Sequence, residues 1–179
     1  TQLGVFRVHL KASDAAGAVV AEEETTFARI RDVSLKTRRP DSPFGIGAYY
    51  AMRFNPEELA IASRMQQLLG AAWDRDELLW DIVEPEPGKW TWEKTDRAVR
   101  AARERNIEIL GLLDYWGKWA EPFTDEGYAA YANYVTRLVT RYKPGGEFAL
   151  QEGWTDGYGV RDWEIWNEPA TFWSGSGRQ

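Results

Sequence analysis

Four short apolar runs, separated by segments of helical periodicity, fill the chain from residue 43 onward and limit what it can fold into. Phe44 to Tyr50 suits a strand buried on both faces, Leu69 to Arg75 leads into a second strand, Ile107 to Asp114 is a third and Val160 to Ile165 a fourth. The first intervening helix opens at Asn55, a capping residue followed by Pro56, Glu57 and Glu58, and its expected core face is Ile61, Met65, Leu68 and Leu69. A second helix runs through Val99 and Ala102 to Asn106. A third opens at Thr124, carries apolar residues at 128, 131, 132, 135, 138, 139 and 142, and stops at Pro144-Gly145-Gly146; a Gly-rich, aromatic loop then runs to Gly159. Strand and helix in alternation predict an α/β fold with a parallel sheet and helices outside it. A dinucleotide-binding sheet wants G-x-G-x-x-G after an early strand, and Phe44 to Phe54 has none, so the pattern favours the first half of a (β/α)8 TIM barrel, about four βα units.

The first thirty residues differ in kind. Phe6, Val8, Leu10 and Ala12 alternate with Arg7, His9 and Lys11, Ser13 to Gly17 supply turn chemistry, and residues 18 to 30 return as a second strand. A lone hairpin is marginal in water, so these strands are expected to be the last ones of an accessory β-sandwich. His9 belongs to the outward row and reads as a surface histidine. Residues 31 to 42 are charged and polar, with prolines at Pro40 and Pro43. The expected division is 1–35 for the sandwich strands, 36–42 for a linker and 43–179 for the half-barrel.

Composition removes several chemistries. There is no cysteine among 179 residues and one histidine, so thiol nucleophiles, disulfides, zinc sites and a Ser-His-Asp triad are all poorly supported. Chemistry here rests on carboxylates, and no metal or cofactor is implied. A net charge of −6 with basic residues scattered among acids advertises no nucleic-acid surface, and no apolar run is long enough to span a membrane. Ten tryptophans and eight tyrosines exceed what one core of this size needs, and flat apolar rings suit the C–H faces of sugars. Trp80, Tyr115, Trp116 and Trp119 follow strands and could be stacking platforms or core. Thr1 reads as a cut inside a longer polypeptide.

The fourth run ends in Trp163-Glu164-Ile165-Trp166-Asn167-Glu168-Pro169, which sets an Asn-Glu pair at a strand's C-terminal end among Trp163, Trp166 and Trp173. A carboxyl group enclosed by indoles would have a raised pKa, as a general acid near neutral pH requires. This stretch resembles the fourth-strand signature of the clan of retaining (β/α)8 glycoside hydrolases whose acid/base is the Glu of an Asn-Glu-Pro motif. Trp73-Asp74-Arg75 with Trp80, Val83-Glu84-Pro85, Gly88, Trp90, Trp92 and Asp96 is similar to the second strand and following loop of its xylosidase-like, β-galactosidase-like and cellulase-like families.

The resemblance implies hydrolysis of a β-linked oligo- or polysaccharide, with Glu168 as acid/base and Asn167 on the sugar 2-hydroxyl. It gives Arg75 the part of orienting the nucleophilic carboxylate; an ion pair with Asp74, Asp76 or Asp114 is the equal alternative. Asp114 could line the sugar site, with Trp80, Trp116 and Trp119. In this clan the nucleophile is a Glu on the seventh strand, so it is expected beyond Gln179, and these residues alone are expected to be inactive. The partners expected are a carbohydrate and the other half of the barrel, from the same polypeptide or a second copy. A sugar-binding protein without catalysis and a self-assembling half-barrel are the rival readings.

Overall fold

The computed structural model describes residues 2–30 and 42–168, in two compact units, Thr1–Ser34 and Leu35–Gln179. In the first unit, β1 (Gly4–Ser13) and β2 (Val19–Arg29) pair antiparallel, with Phe6 opposite Phe27 and Ala12 opposite Ala21. The turn closes because the Asp14 carboxylate accepts from the backbone N–H groups of Ala16 and Ala18, each at 2.9 Å, and Gly17 takes a left-handed φ of 87°. Phe6 and Phe27 stack at 5.1 Å on one face. On the other, His9 sits 3.3 Å from Glu24 in the outward row, an exposed histidine as expected. The described residues of this unit form these two strands alone; the sandwich expected around them is not among them.

The second unit contains β3 (Gly45–Ile46), α1 (Tyr50–Arg53), α2 (Pro56–Leu69), β4 (Trp73–Glu77), α3 (Trp80–Val83), α4 (Glu93–Glu104), β5 (Glu108–Leu113), α5 (Asp125–Tyr142), α6 (Glu147–Gln151) and β6 (Asp162–Ile165). The strands form one parallel sheet in the order β3-β4-β5-β6. Strand order follows chain order without reversal. Right-handed crossovers then put the long helices on one face, whereas a doubly wound sheet reverses direction at a switch point.

The first strand is shorter and more exposed than its sequence predicts. Only Gly45 and Ile46 pair with β4, and Ile46 is 37% exposed rather than buried on both faces, because β3 has a single neighbour among the described residues. Gly45 is required there: a Cβ would lie 2.8 Å from that of Trp73. Tyr50, expected in the strand, instead starts α1 after Tyr49 turns through a left-handed φ of 61°.

α2 begins as its sequence dictates. Asn55 Oδ1 accepts from Glu57 N–H and Glu58 N–H, and the Glu58 carboxylate accepts from Asn55 N–H in return. Its inward face is not the one expected. Leu59, Ser63 and Gln66 are buried, while Ile61, Met65 and Leu69 are 66%, 56% and 72% exposed. Gln66 explains the rotation: Oε1 accepts from the buried Tyr50 hydroxyl at 2.6 Å and Nε2 donates to the Trp73 carbonyl at 2.8 Å. Two buried groups would lose their partners if the apolar stripe faced inward.

α5 keeps much of its expected face: Leu138 and Tyr142 are buried, and Tyr131 and Val135 pack against the core. Gly127, Tyr134, Leu138, Arg141 and Tyr142 are buried, whereas Tyr128 is 54% exposed and Ala132 is exposed. Arg141 is drawn in by the Asp96 carboxylate, Nε to Oδ1 at 2.8 Å. Gly127 lets the helix start close beside the Glu121 carbonyl, which any Cβ would strike. The stretch expected as loop before β6 also contains the short helix α6, which buries Phe148 against Tyr142. The core between sheet and helices is strongly aromatic: Trp80, Tyr50, Tyr134, Tyr142 and Phe148 are its largest fully buried side chains.

Candidate active site

Alternation along the strands decides which side chains meet. Arg75, Leu110 and Asp162 are register partners across β4, β5 and β6, and one row further on so are Glu77, Leu112 and Glu164. These rows share the face that lines a groove with Gly45, Gly47 and Trp73. Toward the C-terminal ends the same rows continue into Asp114 and Trp166.

Arg75 organises this edge. Its Nε donates to Glu164 Oε2 at 2.7 Å, and its Nη2 donates to Glu164 Oε1 at 2.8 Å and to Asn167 Oδ1 at 3.0 Å. The bidentate pair reaches from β4 to β6 across β5, whose Leu112 beneath it is fully buried. Hydrogen bonding from Arg75 holds the Glu164 carboxyl below its usual range, and the same bonds raise the guanidinium. The ion pair weighed from sequence with Asp74, Asp76 or Asp114 is therefore replaced by one with Glu164. Asp74 and Asp76 cannot serve, because alternation turns them to the opposite face. There Asp74 Oδ1 accepts from Ala48 N–H at 2.8 Å, and the Asp76 carboxylate accepts from Ala51 N–H.

Asp114 stands just beyond β5. It is 1% exposed, and neither carboxylate oxygen has a hydrogen-bond partner among the described residues. Burial first, then the charge of Glu77, pushes its pKa up to about 7, with Arg75 opposing. Glu77 is itself raised, chiefly by burial, while Arg75 and Arg53 oppose.

The motif residues follow. Trp166 and Glu168 take left-handed φ values of 67° and 46°, and Tyr49 and Tyr115, which follow β3 and β5, do the same at 61° and 58°. Non-glycine residues in this region cost roughly 1–3 kcal/mol each and gather where geometry is under functional constraint. Asn167 is half-buried and Glu168 is exposed. The enclosure of Glu168 by indoles that the sequence predicts is not what the described residues provide. Trp163 packs over Gly111, where a Cβ would meet its ring at 2.7 Å, and Trp166 joins Tyr115, Trp116 and Tyr131. Trp173 lies outside the described residues.

Two of the four candidate stacking platforms are architecture. Trp80 is fully buried, stacks on Tyr134 at 5.2 Å and donates its indole N–H to Glu84 Oε2 at 2.7 Å. Trp119 packs edge-on against Trp80 and donates to the Glu84 carbonyl at 2.9 Å. Glu84 also accepts from Gly88 N–H at 2.7 Å, so it is the post through which this loop is tied. Trp116 is half-buried among Trp166, Tyr131, Phe123 and Tyr128, and with the exposed Tyr115 it reaches Trp166 of the motif.

Glu164 and Glu77 are site residues that sequence reasoning misses. For Glu164 a signal was present, since a period of two puts it in line with Trp166 and Glu168. Among the described residues no cluster of three or more His, Asp or Glu could hold a metal, and no helix is long and apolar enough to cross a membrane.

No family model and no curated protein sequence matches the chain. Its fold is similar to that of solved glycoside hydrolases. A family 39 glycoside hydrolase from the gut symbiont Bacteroides cellulosilyticus WH2 matches at TM-score 0.68 and 22% identity, over 94% of this chain and 32% of its own. The beta-galactosidase from Marinomonas ef1 matches at TM-score 0.56 and 17% identity, over 72% of this chain and 22% of its own. The endo-1,4-beta-mannanase from Rhizomucor miehei matches at TM-score 0.50 and 20% identity, over 72% and 45%. The chain thus spans less than half the length of each, and at these identities the likeness is one of fold.

Proposed function

We propose that the chain is the first half of the (β/α)8 catalytic domain of a retaining glycoside hydrolase, preceded by the last strands of an accessory β-sandwich, and that Glu168 is its general acid/base. The observation that carries this reading is the Arg75–Glu164–Asn167 linkage. It ties the second parallel strand to the fourth at the sheet's C-terminal edge, the edge where barrels of this kind build their sites. The Asn-Glu pair lies at that edge, and the fold likeness to glycoside hydrolases points the same way.

In this mechanism Glu168 protonates the glycosidic oxygen as the bond breaks and then takes a proton from the water that releases the sugar. An exposed carboxylate suits a group that must meet both an aglycone and a water. Asn167 hydrogen-bonds the sugar 2-hydroxyl, and Trp116 with Tyr115 and Trp166 offers the apolar wall. The nucleophile is a second carboxylate about 5 Å away across the bond. We assign it to a strand outside these 179 residues, so the chain alone supplies half of the apparatus.

The test is hydrolysis of a panel of aryl β-glycosides by the product of the complete reading frame that encodes these residues, with the first-formed anomer read by NMR. The expected result is turnover with retention by that product, and none by the purified, monomeric 179-residue chain. Inversion, or robust turnover by the monomeric chain, contradicts the reading. Sugar binding without turnover by the complete product would favour the binding-protein alternative.

A further inference from the structure

We propose that Glu164, acting through Arg75, fixes the Asn167 side chain with its NH2 turned away from Arg75 and toward the sugar. This rests on the reading above that the sugar lies against Asn167.

A guanidinium has five N–H donors and no acceptor. The Nε/Nη2 edge of Arg75 is filled by the two oxygens of Glu164, which leaves the second Nη2 hydrogen aimed at Asn167. Whatever faces that hydrogen must accept, so it is the amide oxygen, and the NH2 faces the other way. If Asn167 flipped, its NH2 would oppose an N–H of Arg75 and the bond would be lost. The flip is barred only while the guanidinium is held, and Glu164 is what holds it: the other carboxyls nearby, Asp114 and Glu77, act on Arg75 through charge without a hydrogen bond to it. Glu164 and Arg75 are thus positioning residues for the contact that Asn167 makes.

A presented NH2 group can only donate. A neutral 2-hydroxyl accepts from it, whereas a 2-deoxy position offers nothing and a protonated 2-amino group offers only further donors beside the Arg75 cation. The orientation that Glu164 imposes is therefore the one that the 2-hydroxyl contact assigned to Asn167 requires.

Two measurements test this. In the 15N-labelled 179-residue chain, Glu164→Gln should release Arg75, so that its Nε–H exchanges at least about tenfold faster. The Asn167 NH2 resonances should shift with it, while the tryptophan indole signals report an intact fold. Glu152→Gln breaks the similarly bidentate pair with Arg100 and should leave Asn167 unmoved. Glu164→Asp, which keeps the charge, should give a smaller shift and serves if the Gln variant fails to fold. Unmoved Asn167 signals after Arg75 is released would overturn the proposal.

In the product of the complete reading frame, the ratio of kcat/KM for 2-hydroxy over 2-deoxy aryl glycosides should fall in Glu164→Gln, through kcat more than KM. Intrinsic reactivity cancels between variant and wild type. An undiminished ratio overturns this inference and leaves the hydrolase reading standing. Absence of all glycosidase activity overturns the hydrolase reading, while the resonances still decide whether Glu164 orients Asn167.

Discussion

Trp80 and Glu164 show what a residue's type conceals. Trp80 follows β4 and looked equally suited to a sugar platform or a core, and only packing separates the two. Its ring is fully buried against Tyr134, Trp119 and Tyr131. Trp80→Ala should therefore cost about 3–5 kcal/mol of stability by denaturant titration. Trp80→Phe should cost less in packing but strip Glu84 of its indole donor. Glu164 presents the converse case, a charged residue inside a recognisable motif whose partner is 89 positions away. The sequence order of the motif puts Asn167 and Glu168 just past β6, and Arg75 meets Asn167 there. The carboxylate partner of Arg75 was not legible: all nearby acids in the sequence compete until register fixes which faces which. Arg75→Lys keeps the charge but loses the bidentate geometry. It should release Asn167 nearly as fully as Glu164→Gln does, read on the same resonances.

At the scale of elements, capping and most strand runs were legible and the inward face of α2 was not. Asn55-Pro-Glu-Glu specified the start of α2 through local hydrogen bonds, and Asn55→Ala should cost about 1 kcal/mol in thermal unfolding. The face of α2 escaped a count of apolar residues because Gln66 is buried for its hydrogen bonds; on α5 the count reached Leu138 and Tyr142 but not Arg141, buried for its bonds to Asp96. β4 carries a further consequence on the face away from the groove. Asp74 is pushed up to about 7 by burial and Asp76 is raised well above its ordinary value by burial and by Asp74; on the groove's own face, Asp114 beyond β5 is raised to about 7, chiefly by burial. A carboxyl group whose folded pKa exceeds its unfolded one stabilises the fold below the unfolded value and loses that contribution as pH rises through the folded value. The melting temperature should then increase as pH falls from about 8 to about 5. Below about pH 4.5 the trend should reverse as Glu164 and Glu152, both held low by arginine partners, become protonated. Asp74→Asn with Asp76→Asn should flatten the upper limb; a melting temperature that rises with pH across that window would contradict the assignment.

At the scale of the whole molecule, the strand sequence β3-β4-β5-β6 was readable from apolar runs and the missing Gly-rich loop, since each helix returns the chain to the next parallel position. What surrounds the sheet was not readable, because exposure depends on neighbours that the sequence of one strand does not name. Among the described residues β3 and β6 each pair on one side only, and Phe44 and Ile165 are 75% and 61% exposed beside them. Unpaired edges flanked by apolar side chains invite pairing with another chain. The 179-residue chain should self-associate in sedimentation velocity, and Ile165→Lys should weaken that association. A monomer at all concentrations would count against the self-assembling half-barrel.

The central claim is that Glu168 gives and takes the proton, and leaving-group dependence in the product of the complete reading frame tests it most directly. A good leaving group needs little protonation, so Glu168→Gln should slow the first step on alkyl or sugar aglycones by about 10²–10⁴-fold, but far less on dinitrophenyl glycosides. Equal losses across all leaving groups, or no loss at all, would contradict the assignment of Glu168 as acid/base.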